Sequence, residues 1–129
     1  MKIFALRLKP NQDLKIELKK FTLENKVRAG FILTTVGSLK KARLRLANQP
    51  QSTSFVEHFE IISLVGTLCQ DGVHLHIGLA DSTGHTIGGH LEEGCVVYTT
   101  AEIVLGESNT YTFRRVFDPN TGFNELEFI

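Results

Sequence analysis

The chain has 129 residues, 42% hydrophobic and 22% charged, with a formal net charge of zero at pH 7, which argues against strong non-specific DNA binding. This length and composition predict a single globular domain spanning residues 1–129. Two cysteines make no disulfide framework, no apolar segment approaches the ~18 residues that cross a membrane, and early N-terminal charges argue against a signal peptide, so we expect a cytoplasmic protein.

The N-terminal part of the chain predicts one strand and the only clear helix. Alternating apolar residues over positions 2–9 indicate the strand. Asn11 is suited to cap the helix that follows, and Asp13 suits the positive end of its dipole. The apolar face of the helix recurs at helical spacing, at Leu14, Leu18 and Phe21.

The rest of the chain predicts strands joined by short turns and a polar loop at residues 48–54. The expected strands cover residues 29–36, 39–47, 59–66, 74–80, 95–105, 111–117 and 123–129. Many strands and one early helix indicate an α+β fold, in which a mostly antiparallel β-sheet packs with one principal N-terminal α-helix.

Three of the five histidines lie close together in the sequence, at His74, His76 and His90. His74 and His76 are two residues apart in an apolar run, so on a strand both side chains point to the same face. The opposite face would be apolar, with Leu75, Ile77 and Leu79. Neutral imidazole binds zinc well, and three histidines with an open fourth position are a known zinc arrangement.

The surroundings of the three histidines suit a metal site. Gly78 leaves space above the strand, and the flexible pair Gly88-Gly89 lets the backbone bring His90 close to the other two. Asp81 or Glu92 can orient an imidazole by accepting a hydrogen bond from the ring nitrogen that does not bind the metal. We therefore expect the imidazoles to converge on one divalent ion, zinc or another metal. The alternative is that these are structural histidines, hydrogen-bonded at a subunit interface.

Several motifs resemble the plant-and-prokaryote conserved (PPC) domain family over nearly the whole chain. They lie at residues 27–30, 37–39, 59–66, 72–81, 88–91 and 94–105. The resemblance implies an α+β fold, metal-ligating histidines and assembly as a homotrimer. Excess apolar residues in the last three expected strands also predict a closed oligomer. Plant members carry AT-hooks that bind DNA, whereas no Arg-Gly-Arg-Pro occurs here, so the chain looks like the single-domain prokaryotic type.

The sequence favours a DNA-associated or regulatory binding module over an enzyme. Lys41, Arg43 and Arg45 alternate along one strand face, and a trimer would present this basic face three times. We expect weak, salt-sensitive DNA binding at most. The alternative is a solvated face or an edge strand protected by charge. The pair Arg114-Arg115 is a weaker case of the same kind.

A metal-dependent enzyme, such as a zinc hydrolase, is the alternative function. Water bound to zinc can act as a nucleophile near neutral pH, but nothing in the sequence specifies a substrate. Cys95 begins an apolar strand, so we expect a small core residue there and not a nucleophile.

Overall fold

The computed structural model describes all residues, 1–129. Its elements are β1 (Lys2–Leu8), α1 (Leu14–Glu24), β2 (Gly30–Arg45), β3 (Ser52–Phe55), β4 (Phe59–Cys69), β5 (Gly72–Ala80), β6 (Thr86–Leu91), β7 (Val96–Glu107), β8 (Phe113–Asp118) and β9 (Phe123–Phe128). All paired strands run antiparallel. The predicted α+β class, mostly antiparallel with one N-terminal helix, is confirmed. That helix is too short to span a membrane.

Seven strands form one sheet, in which β2 is the central element. The strand order is β1-β7-β2-β4-β5-β6, and β3 pairs with the carboxyl end of β2. β6 also pairs with β2, where Leu44 lies opposite Leu91 and Arg45 lies opposite His90. Strands β2, β4, β5 and β6 therefore close into a ring. The last two strands, β8 and β9, form a separate hairpin.

The hydrophobic core is a single cluster of buried side chains from the sheet and α1. The helix contributes Leu14 and Leu18, which are fully buried, and contacts β4, β5 and β7. Complete burial of each such side chain stabilises the folded protein by about 1.5–3 kcal/mol. The third predicted position, Phe21, packs edge-to-face on Phe4 of β1, with ring centroids 5.7 Å apart.

The prediction that Asn11 caps the helix is wrong. Asn11 has a φ of 75°, in the left-handed region, and belongs to the turn before the helix. The cap is Asp13, whose carboxylate accepts a hydrogen bond from the Ile16 N–H at 3.0 Å and another from the Gly94 N–H at 2.7 Å. The same side chain thus starts the helix and ties it to the segment that leads into β7.

Two predicted strand boundaries differ from the structure because tertiary pairing overrides local sequence signals. The expected strands at 29–36 and 39–47 are one strand, β2, with an irregularity in its pairing with β7 at Gly37. A side chain at Gly37 would place its Cβ 2.2 Å from the Thr100 carbonyl oxygen, so the glycine permits close strand contact. The predicted polar loop also contains the short strand β3, which pairs with residues 42–45.

Candidate metal centre

The histidines are brought together by the register of three neighbouring strands. His76 on β5 lies opposite His90 on β6, and His90 lies opposite Arg45 on β2. His74 stands two residues from His76 on the same face of β5. The other face of β5 is buried, as predicted, at Leu75, Ile77 and Leu79.

The three imidazoles form a compact triangle. Ring centroids are 5.2 Å apart for His74 and His76, 5.2 Å for His74 and His90, and 5.7 Å for His76 and His90. One potential ligand nitrogen from each ring lies within 4.8 Å of the other two. Tetrahedral zinc, with Zn–N bonds of about 2.0–2.1 Å, sets its nitrogens roughly 3.3 Å apart. Side-chain rotations that bring the three nitrogens to that spacing would let the rings share one ion.

His90 has one nitrogen with a partner and one without. Its Nε2 lies 3.5 Å from Glu92 Oε1, which favours a ring proton on Nε2. Its Nδ1 is buried and has no hydrogen-bond partner. Burial lowers the pKa of His90 to about 4, although the negative charge of Glu92 opposes this shift. The ring is therefore neutral at pH 7, and the lone pair on Nδ1 is not used in a hydrogen bond.

His74 is held by an arginine that the sequence did not connect with the site. The Arg115 Nη2 lies 3.3 Å from His74 Nδ1 and donates to the Asn124 carbonyl oxygen at 2.8 Å. Burial lowers the pKa of His74, and the positive charge of Arg115 lowers it further. His74 therefore also favours the neutral form that metal ions require.

A polar cavity of about 360 Å³ opens beside His74 and His90. It lies between the sheet and the β8–β9 hairpin, and only two of its ten lining residues are hydrophobic. Arg45 and Arg115 both face it. The Arg45 guanidinium carbon lies 5.4 Å from the ring centroid of Phe123, a cation–π contact that links β2 to β9.

Of the two predicted supporting carboxylates, only Glu92 lies at the site. Besides contacting His90, it lies 3.9 Å from Arg45 Nε and 4.0 Å from Lys15 Nζ. Asp81 instead accepts hydrogen bonds from Thr83 and from the His85 N–H, and these bonds lower its pKa. Asp81 therefore closes the turn between β5 and β6, and of the two candidates Glu92 is the one that contacts a histidine of the cluster.

The glycines near the histidines act differently from the prediction. The space above Gly78 is taken by Ser63, whose Oγ would lie 2.8 Å from an added Cβ. Gly88 and Gly89 are not a flexible linker but part of β6, where a Cβ would lie 2.8 Å from the carbonyl oxygens of Ile77 and Arg45 respectively. They allow the close strand packing that sets His90 beside His76.

The three residues of the predicted basic face, Lys41, Arg43 and Arg45, do not share one environment. Lys41 and Arg43 are exposed on β2, and Arg43 Nη1 donates to the Glu93 carbonyl oxygen at 3.4 Å. Arg45 faces the histidine cavity instead. Cys95 is buried as predicted, and burial raises the pKa of its thiol to about 11, so it is an unreactive core residue at neutral pH.

Sequence reasoning missed Arg45 and Arg115 as parts of the site. Alternation placed Arg45 on a strand face, but only the pairing of β6 with β2 sets it opposite His90. Arg115 comes from the hairpin that follows the main sheet, and no local pattern connects it with a histidine 41 residues earlier.

Comparison with known proteins supports one family assignment. The family described as the Plants and Prokaryotes Conserved (PCC) domain matches residues 1–109. A curated relative, the bifunctional protein GlmU of Synechococcus sp. strain JA-3-3Ab, is 52% identical over 126 residues, which are 98% of this chain and 20% of that protein. The chain thus spans about a fifth of the length of the curated relatives it matches.

Solved structures share the fold closely. A hypothetical protein from Salmonella cholerae-suis is 41% identical, with a TM-score of 0.96 over 99% of this chain and 93% of its own. A protein from Archaeoglobus fulgidus described as metal-containing is 27% identical, with a TM-score of 0.83 over 98% and 94%. A Bacteroides thetaiotaomicron protein described provisionally as DNA-binding is 24% identical, with a TM-score of 0.86 over 98% and 91%, a likeness that shows the fold alone.

Proposed function

The chain belongs to the Plants and Prokaryotes Conserved (PCC) domain family, the PPC family of its motifs, and on that premise we propose that it is a binding domain holding one divalent metal ion on His74, His76 and His90. Zinc is the ion we favour. The observation that carries the proposal is the buried, unpartnered Nδ1 of His90, which lies in a cluster with two further imidazoles. A buried polar atom without a partner is costly, and a metal ion satisfies it.

The chemistry of the three donors supports this assignment. The lowered pKa values of His74 and His90 keep both rings neutral at pH 7, so protons compete weakly with a metal there. Glu92 beside His90 Nε2 is the carboxylate that commonly orients a histidine ligand. Three protein ligands leave a fourth position for water or another ligand. The Archaeoglobus fulgidus relative, described as metal-containing, is consistent with this proposal.

Zinc titration of chelator-treated protein tests the proposal. We expect one zinc per chain in competition with a chromophoric chelator, and loss of that binding in His76→Ala. His76 is exposed, so its truncation leaves the fold intact. His85→Ala is the matched control, because His85 is also exposed but lies in the turn before β6. Absent zinc uptake, or uptake unchanged in His76→Ala, would contradict the proposal.

We propose further that residues 1–129 act as one domain that assembles as a homotrimer. Large apolar side chains remain exposed in a single chain, among them Val36, Ile62 and Val65 on the sheet and Phe117, Phe123 and Phe128 on the hairpin. Exposure of these apolar side chains to water is unfavourable, and burying them between subunits would favour association. Sedimentation equilibrium at micromolar concentration should give three times the chain mass, and a monomer there would refute the trimer.

DNA association is a second candidate, supported by the exposure of Lys41 and Arg43 on β2, neither of which has a salt-bridge partner. Because the net charge is zero and no Arg-Gly-Arg-Pro occurs, we expect this binding to be weak and sequence-independent. Fluorescence anisotropy with a labelled duplex should show binding that falls steeply with salt and weakens in Lys41→Ala/Arg43→Ala. The exposed pair Lys20 and Lys26 is a control of equal charge. Equal losses in both double variants would refute a specific role for β2.

A further inference from the structure

The Arg115 guanidinium is a cation with N–H donors that make no hydrogen bond within the protein. It carries five N–H donors and no acceptor. Its side-chain hydrogen bonds, to His74 Nδ1 and to the Asn124 carbonyl oxygen, both come from Nη2. It forms no salt bridge, although Asp71 and Glu125 line the same cavity. Nε and Nη1 are therefore free to bind an acceptor.

The bond between Arg115 and His74 is incompatible with a metal ion on His74. Because arginine only donates, His74 Nδ1 must offer its lone pair, and the neutral ring then carries its proton on Nε2. A metal on Nδ1 takes that lone pair directly. A metal on Nε2 moves the proton to Nδ1, which then faces Arg115 as a second donor. In both cases metal ligation breaks the bond and releases the guanidinium.

The charge of the cavity changes in the same event. Two guanidiniums, from Arg45 and Arg115, balance the two carboxylates of Asp71 and Glu125 in its lining. A divalent ion on the histidines makes the net charge around the cavity positive, and it leaves Arg115 without its hydrogen bond to His74. Arginine forms paired, parallel hydrogen bonds with carboxylate and phosphate groups, and such charge-assisted bonds are the strong ones.

We propose that metal binding turns this cavity into a site for a small oxyanion, a carboxylate or phosphate group, held by Arg115 with help from Arg45. This inference rests on the proposed metal site and names the class of ligand that the site takes. A volume of about 360 Å³ is at the lower end for small-molecule pockets, and the mostly polar lining fits a compact, charged ligand. The anion and the metal then bind cooperatively, each strengthening the other.

Cobalt(II) in place of zinc supplies a direct test, because its visible absorption reports both its presence and its coordination. Each protein is titrated with cobalt until its spectrum saturates, and then with sodium acetate or sodium sulfate. Acetate represents carboxylates, and sulfate represents the tetrahedral phosphate group. We expect one of the two to change the spectrum or tighten cobalt binding, with at least tenfold weaker anion binding in chelator-treated protein, measured by calorimetry.

Two variants assign the effect to the guanidinium. Arg115→Gln should weaken the anion response at least tenfold. Arg114→Gln, a neighbour that is exposed on β8, should respond like the parent protein. Full cobalt loading without any anion response, or a response equal in parent and Arg115→Gln, overturns this inference and leaves the metal site standing. No protein-dependent cobalt spectrum overturns the metal proposal itself, and the anion site fails with it.

Discussion

Replacing Glu92 by Gln tests whether this carboxylate supports the metal centre. The change keeps the size of the side chain and removes its negative charge. Glu92 lies 3.5 Å from His90 Nε2, 3.9 Å from Arg45 Nε and 4.0 Å from Lys15 Nζ, so one charge is shared among three partners. Loss of a carboxylate that orients a ligating histidine costs about 10–100-fold in metal affinity, or ~1.4–2.7 kcal/mol.

The structure indicates the lower end of that range. The separation of 3.5 Å is longer than a well-formed N–H···O bond, and Glu92 remains partly solvated. We therefore expect zinc affinity to fall about tenfold in Glu92→Gln, measured by competition with a chromophoric chelator at pH 7. The fold should be little changed, because these charge pairs are all partly exposed.

Glu93→Gln is the matched control for this experiment. Glu93 is the adjacent carboxylate, and its salt bridge is with Lys19 on the helix surface, at 3.4 Å. We expect Glu93→Gln to bind zinc like the parent protein. Equal zinc affinity in parent and Glu92→Gln would refute the orienting role, and equal losses in both variants would reduce it to a general effect of charge.

Three further predictions concern stability. In chelator-treated protein, burial lowers the pKa of His90 from the ordinary 6.5 to about 4, so between these pH values the unfolded chain binds more protons than the folded one. Urea denaturation should therefore show the free energy of unfolding falling as the pH drops through that window. The fall should be less steep in His90→Gln. Gly89→Ala places a Cβ 2.8 Å from the Arg45 carbonyl oxygen, and we expect a loss of about 1–3 kcal/mol in urea midpoints together with weaker zinc binding. Asp13→Ala removes two hydrogen bonds, and thermal unfolding should show a loss of about 1–2 kcal/mol. Unchanged stability in any of these three experiments would contradict its stated cause.

Local sequence patterns were sufficient to predict that His74 and His76 lie on one face of their strand. A strand alternates its side chains, and the run from Gly72 to Ala80 has polar and apolar residues in that alternation, so His74 and His76 share a face. The same reasoning identified the helix, because its buried leucines repeat at helical spacing. It failed at the cap, where Asn11 and Asp13 are both good capping residues, and Asp13 takes the position with bonds from the Ile16 and Gly94 N–H groups.

Contacts made by distant parts of the chain were beyond such patterns. Arg45 reaches the histidines because β6 closes the ring against β2, a pairing between residues 45 positions apart. Arg115 reaches them because the β8–β9 hairpin lies beside β4, and the Arg115 N–H donates to Asp71 in the turn between β4 and β5. No periodicity or residue spacing in the sequence predicts either arrangement. The glycines of β6 were misread for a related reason, since their small size serves strand contact and not flexibility.

Anomalous diffraction from crystals of the zinc-loaded protein, measured on both sides of the zinc absorption edge, would locate the metal ion on the three histidines. We expect one zinc peak per chain, about 2.0–2.1 Å from His90 Nδ1 and from one nitrogen each of His74 and His76. A peak bound elsewhere, or imidazoles that keep their present contacts with no zinc between them, would contradict it.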